Sequence, residues 1–199
     1  MVVSGMKKTA KKAHPLLTCV ALILLLALCV SLYRPAVKRF YEAVYPLGYT
    51  ETVEKEAEAY NISPSLIYAV IHTESHFKPD AVSSAEAKGL MQLTDDTYRW
   101  ALQRTNRADS YDPQQLFDPV ANIHWGVVVL SLLSEQFTNT ETLLAAYNAG
   151  QGHVREWLED PAYSADGVTL HTIPYPETEQ YVKRVLDARR QYKSLYNLD

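Results

Sequence analysis

The stretch VIHTESHFKP (residues 70–79) places a carboxylate, Glu74, on the apolar side of a predicted helix. Glu74 extends by one turn a stripe of apolar residues at helical spacing, namely Ile67, Val70 and Ile71. A carboxyl group that is partly withdrawn from water has a raised pKa, so it can stay protonated near neutral pH and act as a general acid. The alternative is a surface salt bridge between Glu74 and Lys78, one helical turn further along the chain.

The elements that must position Glu74 are predicted to be helices. Helix formers and helix-capping signals predict six of them after the N-terminal region, at residues 50–60, 63–79, 94–104, 118–137, 140–150 and 177–196. Ser63, Thr94 and Asp118 are the expected N-caps, Pro79 stops the second helix, and Gly150 ends the fifth. No segment shows convincing strand alternation. The predicted fold class is therefore mainly α, with at most one small hairpin in 161–175.

An uncharged apolar run, residues 16–32, follows a basic N-terminal tail. A run of this length can just span a bilayer, and four lysines before it against three basic residues after it favour a cytoplasmic N-terminus. We expect an uncleaved single-pass anchor in the cell membrane, with the rest of the chain on the extracytoplasmic side. A cleaved signal peptide is the alternative. The expected organisation is a tail at 1–15, a transmembrane helix at 16–33, a stalk at 34–45 and a globular domain at 46–199.

Charge and cysteine content exclude several functions for the outer part of the chain. All 23 acidic residues but only 12 of the 19 basic residues follow position 39, so the outer part has a net charge of 12 minus 23, or −11. Nucleic acid is therefore not an expected partner. Both cysteines, Cys19 and Cys29, lie in the apolar run, which leaves no disulfide for the domain. The histidines lack metal-ligand spacing, so no metal and no cofactor are expected.

Three short segments that follow Glu74 in the sequence resemble known sequence motifs. GLMQ (89–92) follows a serine-rich loop, and AAYNAGQGHVREW (145–157) and IPYPETEQYVKRV (173–185) come later in that order. Together with the Glu-Ser pair at 74–75, these segments resemble the signatures of the lytic transglycosylases, the peptidoglycan-cleaving relatives of goose-type lysozyme. The resemblance covers about 130 residues, from 63 to 192.

The resemblance implies a lysozyme-like helical domain with a sugar-binding groove, peptidoglycan glycan strands as the substrate, and Glu74 as the single catalytic acid. Ser75 matches the serine that follows the family's glutamate and helps to position the substrate or the carboxyl group. The family's groove-lining loop is matched by Gly89, Leu90, Met91 and Gln92. Within this loop, the resemblance implies that Gln92 can hydrogen-bond a sugar and that Met91 can pack on its apolar face. No particular protein partner is indicated.

The later segments supply the remaining candidates for substrate binding. Tyr147 and Asn148 match the family's AYN, which lies beside the scissile linkage. Tyr181 matches the family's tyrosine near the catalytic carboxyl group, and Glu177 precedes it by one helical turn. Each residue also has a purely structural interpretation: Tyr147 as a core tyrosine, Asn148 as part of a helix end, and Tyr181 as an aromatic residue of an amphipathic helix.

Ordinary glycosidases use two carboxyl groups, but the sequence gives Glu74 no clear second carboxylate. An enzyme with one acid can use the substrate's own C6 hydroxyl as the nucleophile, because its high effective molarity lets it outcompete water. The expected reaction is cleavage of the β-1,4 bond between N-acetylmuramic acid and N-acetylglucosamine, with formation of 1,6-anhydromuramic acid. The alternatives are a goose-type muramidase, in which water attacks, and a catalytically silent wall-binding scaffold.

Overall fold

The structure is a computed structural model that describes residues 15–199. Residues 1–14, which make up nearly all of the predicted basic tail, lie outside the described residues. The chain divides into two compact units, one ending at Val44 and the other spanning Tyr45–Asp199.

In the first unit a single helix, α1, spans Pro15–Val44. The sequence predicts a stalk at residues 34–45, but residues 34–44 continue the helix. Pro35 lies inside this helix and removes one of its backbone hydrogen bonds. The helix continues past it because many of the residues that follow are good helix formers. No helix among the residues that the structure describes is long and apolar enough to cross a membrane. The predicted transmembrane helix is therefore not confirmed.

The second unit begins with two helices that lead to Glu74. Helix α2 spans Thr50–Tyr60, and helix α3 spans Pro64–Ser75. Pro64 opens α3 as predicted, but the Ser63 hydroxyl does not cap it and lies instead 2.8 Å from the hydroxyl of Ser65. The predicted apolar stripe is confirmed, since all of its members are fully buried: Ile67, Val70 and Ile71.

Helix α3 ends earlier than the sequence predicts. Its last residue is Ser75, because His76 and Phe77 both take left-handed backbone conformations, with φ of 50° and 62°. The prediction that Pro79 stops this helix is therefore wrong. As a consequence, Glu74 lies in the last turn of α3, where the chain turns away from the helix axis.

Two further helices have the N-caps that the sequence predicts. Helix α4 spans Asp95–Arg104, and the Thr94 hydroxyl accepts a hydrogen bond from the Thr97 N–H at 3.2 Å. Helix α5 spans Pro119–Ser134, and Oδ1 of Asp118 accepts one from the Ala121 N–H at 2.8 Å. Helix α5 lies at the centre of the core, with α2, α4 and α6 (Thr140–Ala149) packed against it.

The last part of the domain contains one helix that was not predicted. Gly150 ends α6 as expected, with φ of 90°, but α7 (Gln151–Glu159) starts directly after it. Helix α8 spans Pro176–Tyr196 and packs along α3 and α6. Residues 15–199 contain no strand, and the hairpin suggested for 161–175 amounts to one antiparallel bridge, between Ser164 and Leu170.

Candidate active site

A groove of about 960 Å³ lies beside the last turn of α3. Its walls come from the loop at 83–87 with the start of α4, from the junction of α6 and α7, and from the first turn of α8. Val129 and Leu133 of α5 contribute apolar surface to it. Five of the predicted site residues line the groove, namely Glu74, Gln92, Tyr147, Asn148 and Glu177.

The Glu74 carboxyl group is partly buried at the wall of this groove. Desolvation raises its pKa from 4.5 to about 7, while the Tyr181 hydroxyl and the positive charge of Arg184 act in the opposite direction. No second carboxylate is among the groups that shift this pKa. The ion pairs among the described residues do not include Glu74, so the salt bridge with Lys78 considered above is not formed. Glu74 is therefore largely protonated at slightly acidic pH.

Two tyrosines accompany the carboxyl group. Burial, followed by the negative charge of Glu74, raises the pKa of both Tyr147 and Tyr181 well above the usual value, so both hydroxyls keep their protons. The buried Tyr181 hydroxyl has no partner within hydrogen-bonding distance. It nevertheless lies close enough to Glu74 to lower the pKa of the carboxyl group as a donor does. The Tyr181 hydroxyl therefore faces Glu74 without a hydrogen bond to it.

Ser75 connects the end of α3 to the loop at residues 88–92. Its buried hydroxyl donates to the Leu90 carbonyl at 2.8 Å, and the Tyr147 hydroxyl donates to the Met91 carbonyl, also at 2.8 Å. Ser75 does not line the groove, so its observed contact is with the protein and not with the space for a substrate. The Ser75 bond holds the loop against α3, the helix that carries Glu74, and the Tyr147 bond holds it against α6.

Leu90 and Met91 are fully buried and are absent from the groove lining. Met91 packs against Gly126 of α5, where a Cβ atom would lie only 2.2 Å from the Met91 sulfur. This placement differs from the expected contact of Met91 with a sugar ring. The two side chains anchor the loop in the core, and Gln92 is the residue of the loop that lines the groove.

The Gln92 amide is held by its own loop. Nε2 donates to the carbonyl groups of Gly89 and Ala81, at 2.9 Å and 3.1 Å, and the Gln92 backbone has a left-handed φ of 48°. Because both donors of this amide are engaged, its carbonyl oxygen is the atom that can accept a hydrogen bond from a ligand.

Asn122 of α5 is a residue of the site that the sequence analysis missed. Its fully buried side chain accepts a hydrogen bond from the Met91 N–H at 2.8 Å and donates to the carbonyl groups of Lys88 and Leu116 at 3.0 Å and 2.8 Å. A Cβ atom at Gly89 would lie 2.3 Å from the Asn122 amide nitrogen, which explains the glycine there. The only local signal was a polar residue in an apolar helix.

Asn148 and Glu177 line the opposite wall of the groove. Asn148 is exposed at the end of α6, and its Oδ1 accepts a hydrogen bond from the Thr178 hydroxyl at 2.8 Å. Glu177 is exposed in the first turn of α8, where the helix dipole favours a negative charge. Among the described residues, no group of three or more His, Cys, Asp or Glu side chains is arranged to hold a metal ion.

Comparison with known proteins shows which family this chain resembles. Residues 51–167 match the family described as the transglycosylase SLT domain. The soluble lytic murein transglycosylase of Salmonella typhimurium is 35% identical over 154 residues, which cover 76% of this chain and 24% of that protein. The membrane-bound lytic murein transglycosylase C of Yersinia enterocolitica is 30% identical over 166 residues, which cover 73% of this chain and 46% of that protein.

The fold agrees with the sequence comparison. The crystal structure of the 70 kDa soluble lytic transglycosylase of Escherichia coli has a TM-score of 0.69 and 32% identity, over 77% of this chain and 25% of that one. This chain therefore belongs to the transglycosylase SLT domain family, and both the predicted family and the lysozyme-like helical fold are confirmed. The chain spans about a quarter of the length of the soluble relatives that it matches.

Proposed function

We propose that this chain cleaves the β-1,4 bond between N-acetylmuramic acid and N-acetylglucosamine of peptidoglycan by lytic transglycosylation. The observation that carries this proposal is Glu74, a carboxyl group with a pKa of about 7 on the wall of a groove of about 960 Å³. The names of the relatives, which are lytic murein transglycosylases, support the same reaction.

The first step requires an acid. Protonated Glu74 donates its proton to the glycosidic oxygen, and the bond between that oxygen and C1 of muramic acid breaks. The carbonyl group of the substrate's own N-acetyl group stabilises the positive charge that develops at C1. A pKa near 7 suits this step, because the acid is protonated in a large fraction of molecules and is still a good donor.

The second step uses the same residue as a base. Deprotonated Glu74 takes the proton of the C6 hydroxyl, whose oxygen closes onto C1 to form the 1,6-anhydro ring. No water is consumed, and Glu74 returns to its protonated state. No second carboxylate contributes to the shifted pKa of Glu74, which supports a mechanism with one acid and an internal nucleophile.

The other groove residues are proposed to bind and orient the glycan. The carbonyl oxygen of Gln92 can accept a hydrogen bond from a sugar hydroxyl, and the exposed amide of Asn148 can bind an acetamido group. Tyr181 faces Glu74 and tunes the acid. Glu177 lines the wall of the groove beside Asn148, within reach of a bound sugar or stem peptide.

We further propose that residues 16–33 anchor the protein in the cell membrane and that residues 46–199 form the catalytic domain on the extracytoplasmic side. The uncharged sequence of this segment supports the anchor, as do the exposed apolar side chains of α1, such as Leu22, Ile23 and Leu26. Protease added to intact spheroplasts should remove the domain, while the N-terminal segment stays in the membrane fraction. A mature N-terminus beyond residue 30 would show a cleaved signal peptide instead.

The decisive experiment for the reaction is mass spectrometry of digested peptidoglycan. Wild-type protein should release muropeptides that end in 1,6-anhydromuramic acid, each lighter by one water than the corresponding product of hydrolysis. Reducing ends would indicate a muramidase. Binding to peptidoglycan without release of fragments would indicate a wall-binding scaffold. Glu74→Gln, which keeps the size of the side chain but removes the ionisable proton, should abolish the fragments.

A further inference from the structure

The exposed side chain of Asn148 is held on one side by a buried hydroxyl. Thr178 is 2% exposed and belongs to the first turn of α8, whereas Asn148 lies at the end of α6. The Thr178 hydroxyl donates to Oδ1 of Asn148 at 2.8 Å across the junction of the two helices. This bond joins two of the elements that form the wall of the groove.

The Thr178 hydroxyl bonds to a residue outside its own helix. Thr178 is the third residue of α8, so the carbonyl groups one turn earlier along the chain lie before the helix begins. Its hydroxyl donates instead to Asn148, at the end of α6. Its polar group therefore acts on Asn148 and not on its own helix.

We propose that Thr178 is a positioning residue that fixes the carboxamide of Asn148 for substrate binding. With Oδ1 engaged by Thr178, the amide presents Nδ2 to the groove as a hydrogen-bond donor. A donor at this place can bind a carbonyl oxygen, such as that of the substrate's N-acetyl or lactyl amide group. This inference rests on the proposed function, because the amide-bearing glycan is the substrate proposed above.

The Thr178 hydroxyl favours one orientation of the Asn148 carboxamide for an energetic reason. Rotation of that carboxamide by half a turn would leave the buried hydroxyl proton of Thr178 without an acceptor. If the Asn148 carboxamide turned over, its NH₂ group would face the Thr178 hydroxyl, whose proton would then have no partner at a site 2% exposed. Burial of an unpaired polar group is unfavourable. The hydroxyl thus selects one of the two orientations that an exposed amide otherwise samples.

The test compares two substitutions of Thr178 in the full chain. Thr178→Val keeps the shape of the side chain but removes the hydroxyl, and we expect kcat/KM for peptidoglycan cleavage to fall about five- to tenfold, the factor typical of one hydrogen bond. Thr178→Ser keeps the hydroxyl and should restore most of the activity. If Thr178→Val cleaves at the wild-type rate, the inference is wrong. If wild-type protein itself releases no fragments, the proposed function fails.

A double-mutant cycle separates positioning from a general loss of structure. In an Asn148→Ala background, Thr178→Val should have no further effect on kcat/KM, because the group through which it acts is gone. Multiplicative effects of the two substitutions would overturn the inference. Thr142→Val is the matched control, since this fully buried threonine donates to the Val168 carbonyl away from the groove. It should lower thermal stability only, and an equal fall in kcat/KM would also overturn the inference.

Discussion

Two glutamates of the second unit are withdrawn from water, and the protein surrounds them differently. Glu56 of α2 is 5% exposed, and its Oε2 lies 2.8 Å from Nδ1 of His124 on α5. Glu74 of α3 forms no ion pair with a described residue, faces the hydroxyl of Tyr181, and opens onto the groove.

This difference teaches that burial alone does not identify a catalytic carboxyl group. The more buried Glu56 has a partner that can compensate its removal from water, so the pair links α2 to α5. Glu74 has no such partner, and its pKa is raised as a result. A carboxylate that lacks a partner and borders a cavity is the one available for proton transfer.

The largest expected effect is on activity at Glu74. Glu74→Gln should reduce the cleavage of peptidoglycan by at least about 100-fold, because it removes the general acid and base. Glu56→Gln should leave the rate per folded molecule unchanged. Both rates can be measured from the release of muropeptides, normalised to folded protein by circular dichroism. Similar losses of activity in the two variants would show that Glu74 is not the catalytic carboxyl group and Glu56 a structural one.

The second prediction concerns stability and pH. The native pKa of Glu74 is about 7, above its usual value of 4.5, so the folded state binds more protons than the unfolded state between these values. Wild-type stability should therefore fall as pH rises through this window, and Glu74→Gln should remove that part of the dependence. The variant should gain up to about 3 kcal/mol over wild type at pH 8 and almost nothing at pH 4.

Urea unfolding at pH 4, 6 and 8 measures this difference directly. A gain that is the same at all three pH values would show that Glu74 is not held with a raised pKa.

The third prediction concerns the contribution of Glu56 to the stability of the folded protein. Glu56→Gln weakens the contact with His124 and should lower the free energy of unfolding by about 1–3 kcal/mol, the cost of a disturbed buried polar pair. Glu58→Gln, at an exposed position on the same helix, is the matched control and should have little effect. Thermal unfolding of the two variants at pH 7 provides the comparison. If both are as stable as wild type, the pair with His124 has no structural role.

The smallest effect is expected at Tyr181. The hydroxyl of Tyr181 lowers the pKa of Glu74, so Tyr181→Phe should raise that pKa and move the alkaline fall in activity to higher pH. The rate at neutral pH should decrease by less than about tenfold, since one hydrogen bond at most is lost. A pH profile of kcat/KM detects the shift. An unchanged profile with a reduced rate would show that Tyr181 only shapes the groove.

The sequence predicted those features that depend on local interactions. Thr94 and Asp118 bond to backbone groups three residues away, so the residue type and its place before a helix were sufficient. The apolar stripe that ends at Glu74 follows from helical spacing alone. The proximity of Tyr181 to Glu74, in contrast, came from the family resemblance, because no local pattern relates residues so far apart in the chain.

The features that were missed depend on contacts between distant segments or on unusual backbone conformations. Asn122 bonds to Met91, 31 residues earlier in the chain, and nothing near Asn122 indicates that partner. The end of α3 was placed too late because His76 and Phe77 adopt positive φ values that few residues other than glycine take. Helix α7 was missed because a glycine after α6 usually marks the start of a loop.

The bonds that hold the loop at residues 88–92 from behind have a consequence for inhibitor design. Ser75, Asn122 and Tyr147 fix four backbone groups of this loop from within the protein, so this wall of the groove is held in place by the protein itself. A ligand that contacts it needs to order few protein groups, which favours affinity. Rigid compounds shaped to this groove should therefore bind better than flexible ones that depend on closure of the protein around them.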